Sequence, residues 1–155
     1  MTTTPSSTIP SDTSSADPTD AARATSDPST AIDRFLAGVC AGHVPADVYA
    51  ADAVLDATVP NWRFTRRGAA AIAGEYAGWF ADAGRFEQLE RLAIASGEVV
   101  TYVLTWEQQG VPHAAHHSHR LIVDQDGRIS ADRVFCGGRW PADLLASMQQ
   151  ADDDQ

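Results

Sequence analysis

Apolar residues recur at helical spacing in the first half of the chain and alternate with polar residues in the second half. A first helix is predicted from Asp27-Pro28, where Asp27 suits the N-cap and Pro28 the first turn, to Gly42. A short second helix over residues 45–49 follows, and a third runs from Ala69 to about Ala83. The apolar stripes of the first and third helices are Ile32, Phe35, Leu36 and Val39, and Ile72, Tyr76, Trp79 and Phe80.

Period-two alternation predicts a run of strands, interrupted by short turns. Residues 61–67, which contain Trp62 and Phe64, are expected to form a loop after Pro60. A tight turn at Asp124-Gln125-Asp126-Gly127 joins two long antiparallel strands, and a short amphipathic helix over residues 142–150 follows. The predicted strands cover residues 53–59, 86–95 and 99–108 and the two arms of the segment Gly110–Gly138.

Helices followed by a strand meander predict an α+β domain over residues 28–150, in which one curled antiparallel sheet wraps over three N-terminal helices. Such a sheet encloses an apolar pocket at its wide end. Residues 1–27 consist mostly of Thr, Ser, Pro, Asp and Ala. They have too little apolar surface to offset the entropy of ordering, so this tail is expected to be disordered. Residues 151–155 form an acidic tail that is expected to fray.

Composition excludes several classes of function. The formal net charge is -10, from 21 acidic and 11 basic residues, and it argues against nucleic acid and anionic membranes as partners. We find neither an apolar run of membrane-spanning length nor a secretory signal. The two cysteines, Cys40 and Cys136, fit no metal-binding spacing and no disulfide framework. A cytoplasmic setting is therefore expected.

Titratable side chains are concentrated in the segment Gly110–Gly138, which holds four of the five histidines. His113, His117 and His119 share one face of the first strand with Leu121 and Val123, whereas the other face carries Arg120. Because an unpaired arginine is costly to bury, the face with His117 and His119 is predicted to point inward. On the second strand, alternation alone does not choose between the face of Asp132, Val134 and Cys136 and the face of Ile129, Ala131, Arg133 and Phe135.

Three short motifs, together with the element order, resemble the nuclear-transport-factor-2-like superfamily. They are the phrase Val48-Tyr49-Ala50-Ala51-Asp52-Ala53-Val54, the helix entry Gly68…Ala71-Ile72 and the turn Asp126-Gly127-Arg128-Ile129. Within that superfamily the chain is similar to SnoaL-like polyketide cyclases and ketosteroid isomerases over Thr30–Gly138. The resemblance implies a cone-shaped fold and a homodimer formed through the outer face of the sheet. The resemblance says little about the activity, because proteins with this fold have many different functions.

The catalytic residues of ketosteroid isomerases are replaced by other residue types at the matching positions of this chain. Its oxyanion-hole tyrosine falls on Phe35, its general-base aspartate on Ala57, beside Asp56, and its second oxyanion donor on His119. Steroid isomerisation by that mechanism is therefore not expected. The same register implies that His119, Asp132, Val134 and Cys136 lie on the pocket face, with Tyr102, Leu104 and Trp106 across from them.

Three kinds of site remain open. The first is an acid/base pair of His119 and Asp132, positioned like the pair of SnoaL-like cyclases; a neighbouring carboxylate would raise the pKa of the histidine and hold its tautomer. The same pair could instead be structural. The second is a metal site at His117 and His119, about 7 Å apart on one strand face, with His113 nearby. The third is a nucleophilic Cys136. We favour the pair, with no metal and no cofactor.

The sequence thus predicts a domain that binds a small hydrophobic molecule bearing a carbonyl or hydroxyl group. We expect a cofactor-independent acid/base enzyme of the cyclase, isomerase, dehydratase or hydrolase type. The alternative is a non-catalytic ligand-binding or dimeric interaction module. His119 and Asp132 are the candidate catalytic residues, and Tyr76 or Tyr102 could donate to a substrate carbonyl. The candidate substrate-binding residues are Phe35, Trp62, Tyr76, Trp79, Tyr102, Leu104, Trp106, His117, Val134 and Cys136.

Overall fold

The computed structural model describes residues 28–154, so the expected tail over residues 1–27 and the N-cap at Asp27 lie outside the described residues. Helix α1 covers Pro28–Ala41 and ends at Gly42, whose φ of 76° suits glycine. A single 3-10 turn, Ala46–Val48, replaces the predicted second helix. The remaining elements are β1 (Tyr49–Val59), β2 (Trp62–Arg67), α2 (Ala69–Trp79), β3 (Gly84–Ile94), β4 (Gly97–Gln108), β5 (Val111–Val123), β6 (Ile129–Cys136), β7 (Trp140–Pro141) and α3 (Ala142–Asp153).

These elements confirm the predicted α+β fold class, with one curved sheet over the N-terminal helices. The strand order is β2-β1-β6-β5-β4-β3, and β7 pairs with β5. The predicted sheet was antiparallel throughout, and that detail is wrong: β1 pairs with β6 in parallel, so the sheet is mixed. Chain connectivity explains the difference, because β2, α2 and the strands β3–β5 lie between these two strands in the chain and allow β6 to return beside β1 in the same direction.

The segment 61–67 was predicted to be a loop, but it is strand β2. Asn61, with φ of 62°, allows a tight turn after Pro60, and β2 then pairs antiparallel with β1 from Val59↔Trp62 to Val54↔Arg67. Trp62 and Phe64 are residues that strands favour, whereas the arginines between and after them obscured the pattern. The predicted strand over 53–59 also starts earlier, at Tyr49.

Two helix ends differ from the prediction. Helix α2 stops at Trp79 instead of about Ala83, and Phe80 caps it with a backbone N–H that donates to the carbonyl of Tyr76. Helix α3 continues to Asp153, through acidic residues that were expected to fray. None of the helices within residues 28–154 is long and apolar enough to cross a membrane.

The core lies between the concave face of the sheet and helices α1 and α2. Helix α1 contributes the predicted stripe, and Ile32, Phe35 and Val39 are completely buried. Helix α2 contributes Ile72 and Tyr76, which are also completely buried. This packing places the aromatic residues of both helices over the polar side chains of β5 and β6, where the site is found.

Candidate functional site

Three neighbouring strands bring the polar residues of the interior together. On β5, His119 pairs with Val100 of β4 and with Val134 of β6, and His117 pairs with Tyr102 and Cys136. Side chains directly opposite in an antiparallel pair lie on the same face. The concave face therefore carries His117 and His119, as alternation predicted. It also carries Asp132, because that residue lies two positions from Val134.

Asp132 is the centre of a buried hydrogen-bond network. Its Oδ1 accepts a hydrogen bond from Nδ1 of His119 at 3.0 Å. Its Oδ2 accepts from the hydroxyl of Tyr76 at 2.5 Å and from that of Tyr49 at 3.2 Å. The other ring nitrogen of His119, Nε2, lies 3.0 Å from the hydroxyl of Tyr102. With Nδ1–H donated to the carboxylate, Nε2 accepts from this tyrosine, so both ring nitrogens of His119 are satisfied.

The network is sealed from solvent. Tyr76, Tyr102 and His119 are 0% exposed, and Tyr49 and Asp132 are 1% exposed. The ring of Phe35 covers His119, with centroids 5.1 Å apart. Burial, followed by the charge of Asp132, raises the pKa of all three tyrosines well above 10, so their hydroxyls stay protonated as donors. The structure thus brings His119 and Asp132 into contact but encloses both.

A separate cavity of about 220 Å³ reaches His117 instead of His119. Its walls are mostly apolar and come from β1, α2, β4, β5 and β6 and from the segment after β6. The buried residues Leu104, Ala115 and His117 lie at its deep end. The exposed residues Pro60, Gly78 and Arg139 lie at its open end. The lining residues are Val59, Pro60, Gly78, Trp79, Phe80, Leu104, Trp106, Ala115, His117, Cys136, Gly138 and Arg139.

His117 is the polar side chain at the deep end of this cavity. It is 4% exposed, and its ring stacks on Tyr102 at 5.2 Å and on His119 at 5.8 Å, between centroids. Nε2 lies 3.7 Å from Sγ of Cys136, and Nδ1 is buried with no hydrogen-bond partner among residues 28–154. Burial is the main cause that lowers the pKa of His117 to about 3, and the neighbouring His119 and His116 add to it. His117 is therefore a neutral imidazole at neutral pH.

Cys136 lies beside His117 as a thiol and not as a thiolate. Burial raises the pKa of Cys136, an effect that the backbone N–H of Gly138 and the charge of Arg139 only partly oppose. The N–H of Gly138 donates to Sγ at 3.4 Å. Because the thiolate is the nucleophilic form, this environment does not favour attack by Cys136.

The three histidines considered for a metal site have different environments. His113 donates its Nδ1–H to the carbonyl oxygen of Val111, 2.8 Å away, and its ring stacks on that of Trp106. Both ring nitrogens of His119 are already in hydrogen bonds. Within residues 28–154 there is no group of three or more His, Cys, Asp or Glu placed to hold a metal ion.

The predicted binding residues divide into three locations. Trp79, Leu104, Trp106, His117 and Cys136 line the cavity. Phe35, Tyr76, Tyr102 and Val134 are completely buried behind it, and Tyr76 and Tyr102 donate to the network. Trp62 is 70% exposed at the start of β2 and lies outside the cavity lining, because the segment expected to be a loop is an edge strand.

Sequence reasoning did not single out Tyr49, Ala115 or Arg139. Tyr49 falls in the short helix predicted over residues 45–49, and no pattern indicated that its hydroxyl points inward. In the structure each of the three tyrosines of the chain is hydrogen-bonded to Asp132 or His119. Ala115 could have been found, because it alternates with His117 on β5. Arg139 follows the last long strand in a glycine-containing segment, where no periodic pattern indicates the direction of a side chain. Asp56, which lies one residue from the isomerase base position, pairs on the outer face with Arg63 and Arg133.

Comparison with solved structures identifies the architecture. An NTF2-like protein from Anabaena variabilis matches with a TM-score of 0.61 and 13% identity, over 71% of this chain and 86% of that one. The chain has the nuclear-transport-factor-2-like fold. The epoxide hydrolase/cyclase-like enzyme SalBIII, described in pyran ring formation of the polyether salinomycin, matches with a TM-score of 0.56 and 14% identity, over 71% and 90% of the two chains.

A steroid delta-isomerase from Pseudomonas aeruginosa has the same fold, with a TM-score of 0.50 and 16% identity, over 79% of this chain and 86% of that one. No family model matches the sequence, and no curated protein matches it either. The nuclear-transport-factor-2-like fold is thus shared with isomerase-like and cyclase-like proteins, at identities that establish the architecture alone.

Proposed function

We propose that this domain binds a small, largely apolar molecule in the cavity and carries out cofactor-independent acid/base chemistry on its carbonyl or hydroxyl group. The reaction would be of the cyclase, isomerase, dehydratase or hydrolase type. One observation carries the proposal: His117 lines a mostly apolar cavity, and its buried Nδ1 has no hydrogen-bond partner within residues 28–154. An unpaired buried polar group costs about 1–3 kcal/mol, and a ligand that supplies the missing hydrogen bond recovers that cost.

His117 is the residue that would contact the ligand. If its Nε2–H is donated to Sγ of Cys136, Nδ1 carries the lone pair and accepts a proton from a substrate hydroxyl or activated C–H. The opposite tautomer donates Nδ1–H to a substrate carbonyl. A positive charge that develops on His117 is stabilised by the stacked ring of Tyr102, whose centroid is 5.2 Å away.

His119 and Asp132 would act as positioning residues rather than contact the substrate. Their hydrogen bonds hold the Tyr102 hydroxyl and hence the ring on which His117 stacks. The cyclase-like and isomerase neighbours in the same fold support acid/base chemistry of this kind.

A ligand screen by thermal shift tests the binding step, because a ligand that binds the native state raises the unfolding temperature. Compounds with one to three rings and a carbonyl or hydroxyl group should be incubated with the wild type and analysed by liquid chromatography, mass spectrometry and NMR, because isomerisation leaves the mass unchanged. His117→Phe keeps the size and aromatic character of the side chain but removes both nitrogens, so turnover should fall by at least 100-fold. His43→Gln changes an exposed histidine that does not line the cavity and should leave turnover unchanged.

Tyr102→Phe separates the positioning role from the contact role. The variant keeps the ring under His117 and removes only the hydroxyl that meets His119. We expect kcat to fall about tenfold while KM changes less than twofold, because ground-state contacts with the substrate are retained. Full turnover by His117→Phe would rule out His117 as the acid/base group.

A non-catalytic binding module is the second candidate, and the enclosure of His119 and Asp132 favours it. Under this alternative, the cavity binds its ligand and releases it chemically unchanged. Hits that stabilise the wild type, lose affinity with His117→Phe and show no change in retention time, mass or NMR spectrum after prolonged incubation would establish this alternative. The screen thus distinguishes the two candidates with one set of proteins.

A further inference from the structure

Arg139 gives the cavity a charged side chain near its exposed end. Among the described residues that line the cavity, it is the one with a formal charge at neutral pH, since His117 is neutral there. Arg139 is exposed, and its guanidinium lies 5.2 Å from the ring centroid of Trp106, another lining residue. This cation–π contact holds the guanidinium beside the cavity.

The guanidinium of Arg139 also lacks a carboxylate partner within residues 28–154. Six other arginines form ion pairs there, and each has an Asp or Glu oxygen within 3.3 Å. The protein has a net charge of -10, yet no carboxylate within residues 28–154 forms an ion pair with Arg139. An anionic group on a ligand would supply the missing partner, in the bidentate geometry that guanidinium favours.

The buried end of the cavity has the opposite character. His117 stacks on His119, which is hydrogen-bonded to the carboxylate of Asp132, and no arginine is bonded to that carboxylate in the described part of the chain. An anion placed deep in the cavity would be repelled by Asp132 and desolvated by apolar walls. The charge of a ligand must therefore lie at the exposed end, near Arg139, with its apolar part inward.

The volume of the cavity limits the apolar part. An engineered cavity of about 150 Å³ holds benzene, and pockets for drug-sized ligands start at about 300 Å³. A cavity of about 220 Å³ lies between these values. One or two fused rings fill it, whereas a four-ring steroid does not. The flat side chains of Trp79, Phe80 and Trp106 suit the faces of such rings.

From these observations we infer that the cavity takes a one- or two-ring aromatic or unsaturated acid, with its carboxylate on Arg139 and its rings directed toward His117. This inference rests on the proposed function, since it names the class of molecule on which the same site acts. It adds a specificity determinant, Arg139, that lies outside the acid/base machinery.

Three probes of equal size test the inference: 2-naphthoate, the neutral 2-naphthamide and the cationic 2-naphthylmethylamine. Their dissociation constants should be measured by titration calorimetry on the wild type, Arg139→Gln and Arg67→Gln. Arg67 is the matched control, because it is exposed, makes no ion pair within residues 28–154 and lies outside the cavity lining. The indole N–H signals of Trp79 and Trp106 in NMR spectra report whether the probe occupies this cavity.

We expect the wild type to bind 2-naphthoate about fivefold more tightly than 2-naphthamide, the effect of one partly exposed ion pair, and to bind the amine most weakly. Arg139→Gln should remove the preference for the acid, and Arg67→Gln should keep it. Equal binding of acid and amide by the wild type, or an unchanged preference in Arg139→Gln, overturns the inference. So does the absence of binding by all three probes.

The two proposals fail in different ways. If the acid and the amide bind equally and His117→Phe weakens both, the charge preference is wrong and the binding role of the cavity stands. If 2-naphthoate is preferred through Arg139 but His117→Phe leaves turnover of every hit intact, the ligand class is right and the acid/base role of His117 is wrong.

Discussion

At the scale of single residues, three histidines on one strand face have three different roles. His119 has both ring nitrogens in hydrogen bonds inside the core, whereas His113 lies half-buried against Trp106. His117 has a pKa lowered to about 3 and a buried nitrogen that finds no partner in the described part of the chain. Alternation predicted that all three share a face, but only packing determines how much water and how many partners each one has.

The lowered pKa of His117 predicts a pH dependence of stability. The unfolded chain binds a proton at this residue below about pH 6.5, whereas the folded protein does not until about pH 3. The unfolding free energy should therefore fall as the pH drops below about 6.5, by up to about 1.4 kcal/mol per pH unit from this group. Urea unfolding of the wild type and His117→Phe at pH 7, 6 and 5 measures the difference.

His117→Phe should show a smaller loss of stability between pH 7 and pH 5 than the wild type, because the variant has no imidazole to protonate at this position. His43→Gln is the control. His43 is exposed, so this variant should lose as much stability between pH 7 and pH 5 as the wild type does. Identical pH slopes for the wild type and His117→Phe would contradict the assignment of a buried neutral imidazole.

At the scale of elements, the site depends on the long pairing of β4 with β5. The two strands are paired from Gly97↔Ile122 to Gln108↔Val111, and this register aligns Tyr102 with His117 and Val100 with His119. Gly97 starts the pairing with φ of 154°, and a Cβ added there would lie 1.9 Å from the carbonyl oxygen of Leu121. The backbones of β4 and β5 approach too closely at this point for any side chain.

Gly97→Ala should therefore lower the unfolding free energy by about 2–4 kcal/mol, since both the contact and the backbone conformation are strained. Gly74→Ala is the matched control in helix α2, where an added Cβ meets nothing within 4 Å. That variant should raise the unfolding free energy by about 0.5–1 kcal/mol, the usual gain from alanine in a helix. Chemical denaturation measures both, and a neutral Gly97→Ala would show that β4 and β5 can separate locally.

At the scale of the whole molecule, the fold gathers every tyrosine of the chain around one histidine–carboxylate pair. Tyr49 comes from β1, Tyr76 from α2 and Tyr102 from β4, and Asp132 lies on β6. The chain has three tyrosines, and each is at most 1% exposed. The parallel pairing of β1 with β6 and the position of α2 over the sheet are both needed to assemble this network.

Ionisation of tyrosine should therefore report on global unfolding. The pKa of each tyrosine is raised well above 10 by burial and by the charge of Asp132, so the folded protein keeps these protons while the unfolded chain loses them. Stability should fall as the pH rises above about 10, and tyrosinate absorbance should appear in one step together with loss of helical circular dichroism. Gradual ionisation before unfolding would mean that at least one hydroxyl is open to solvent.

The sequence by itself determined those features that depend on neighbours along the chain. The bounds of α1, the β5–β6 hairpin and the inward face of His117 and His119 follow from local periodicity and a short turn. The α+β class follows from the order of the elements. In each case a period of 3.6 or 2 residues, or a turn of fixed length, decides which side chains meet.

Only the tertiary structure decided which polar group faces the cavity. Segments distant in the chain close over His119 and Asp132: Phe35 from α1, Tyr76 from α2 and Tyr49 from β1. The same packing leaves space beside His117 and brings Arg139 to the cavity from the segment after β6. Enclosure depends on the volumes of side chains that meet across the core, and periodicity along a single strand carries no information about those volumes.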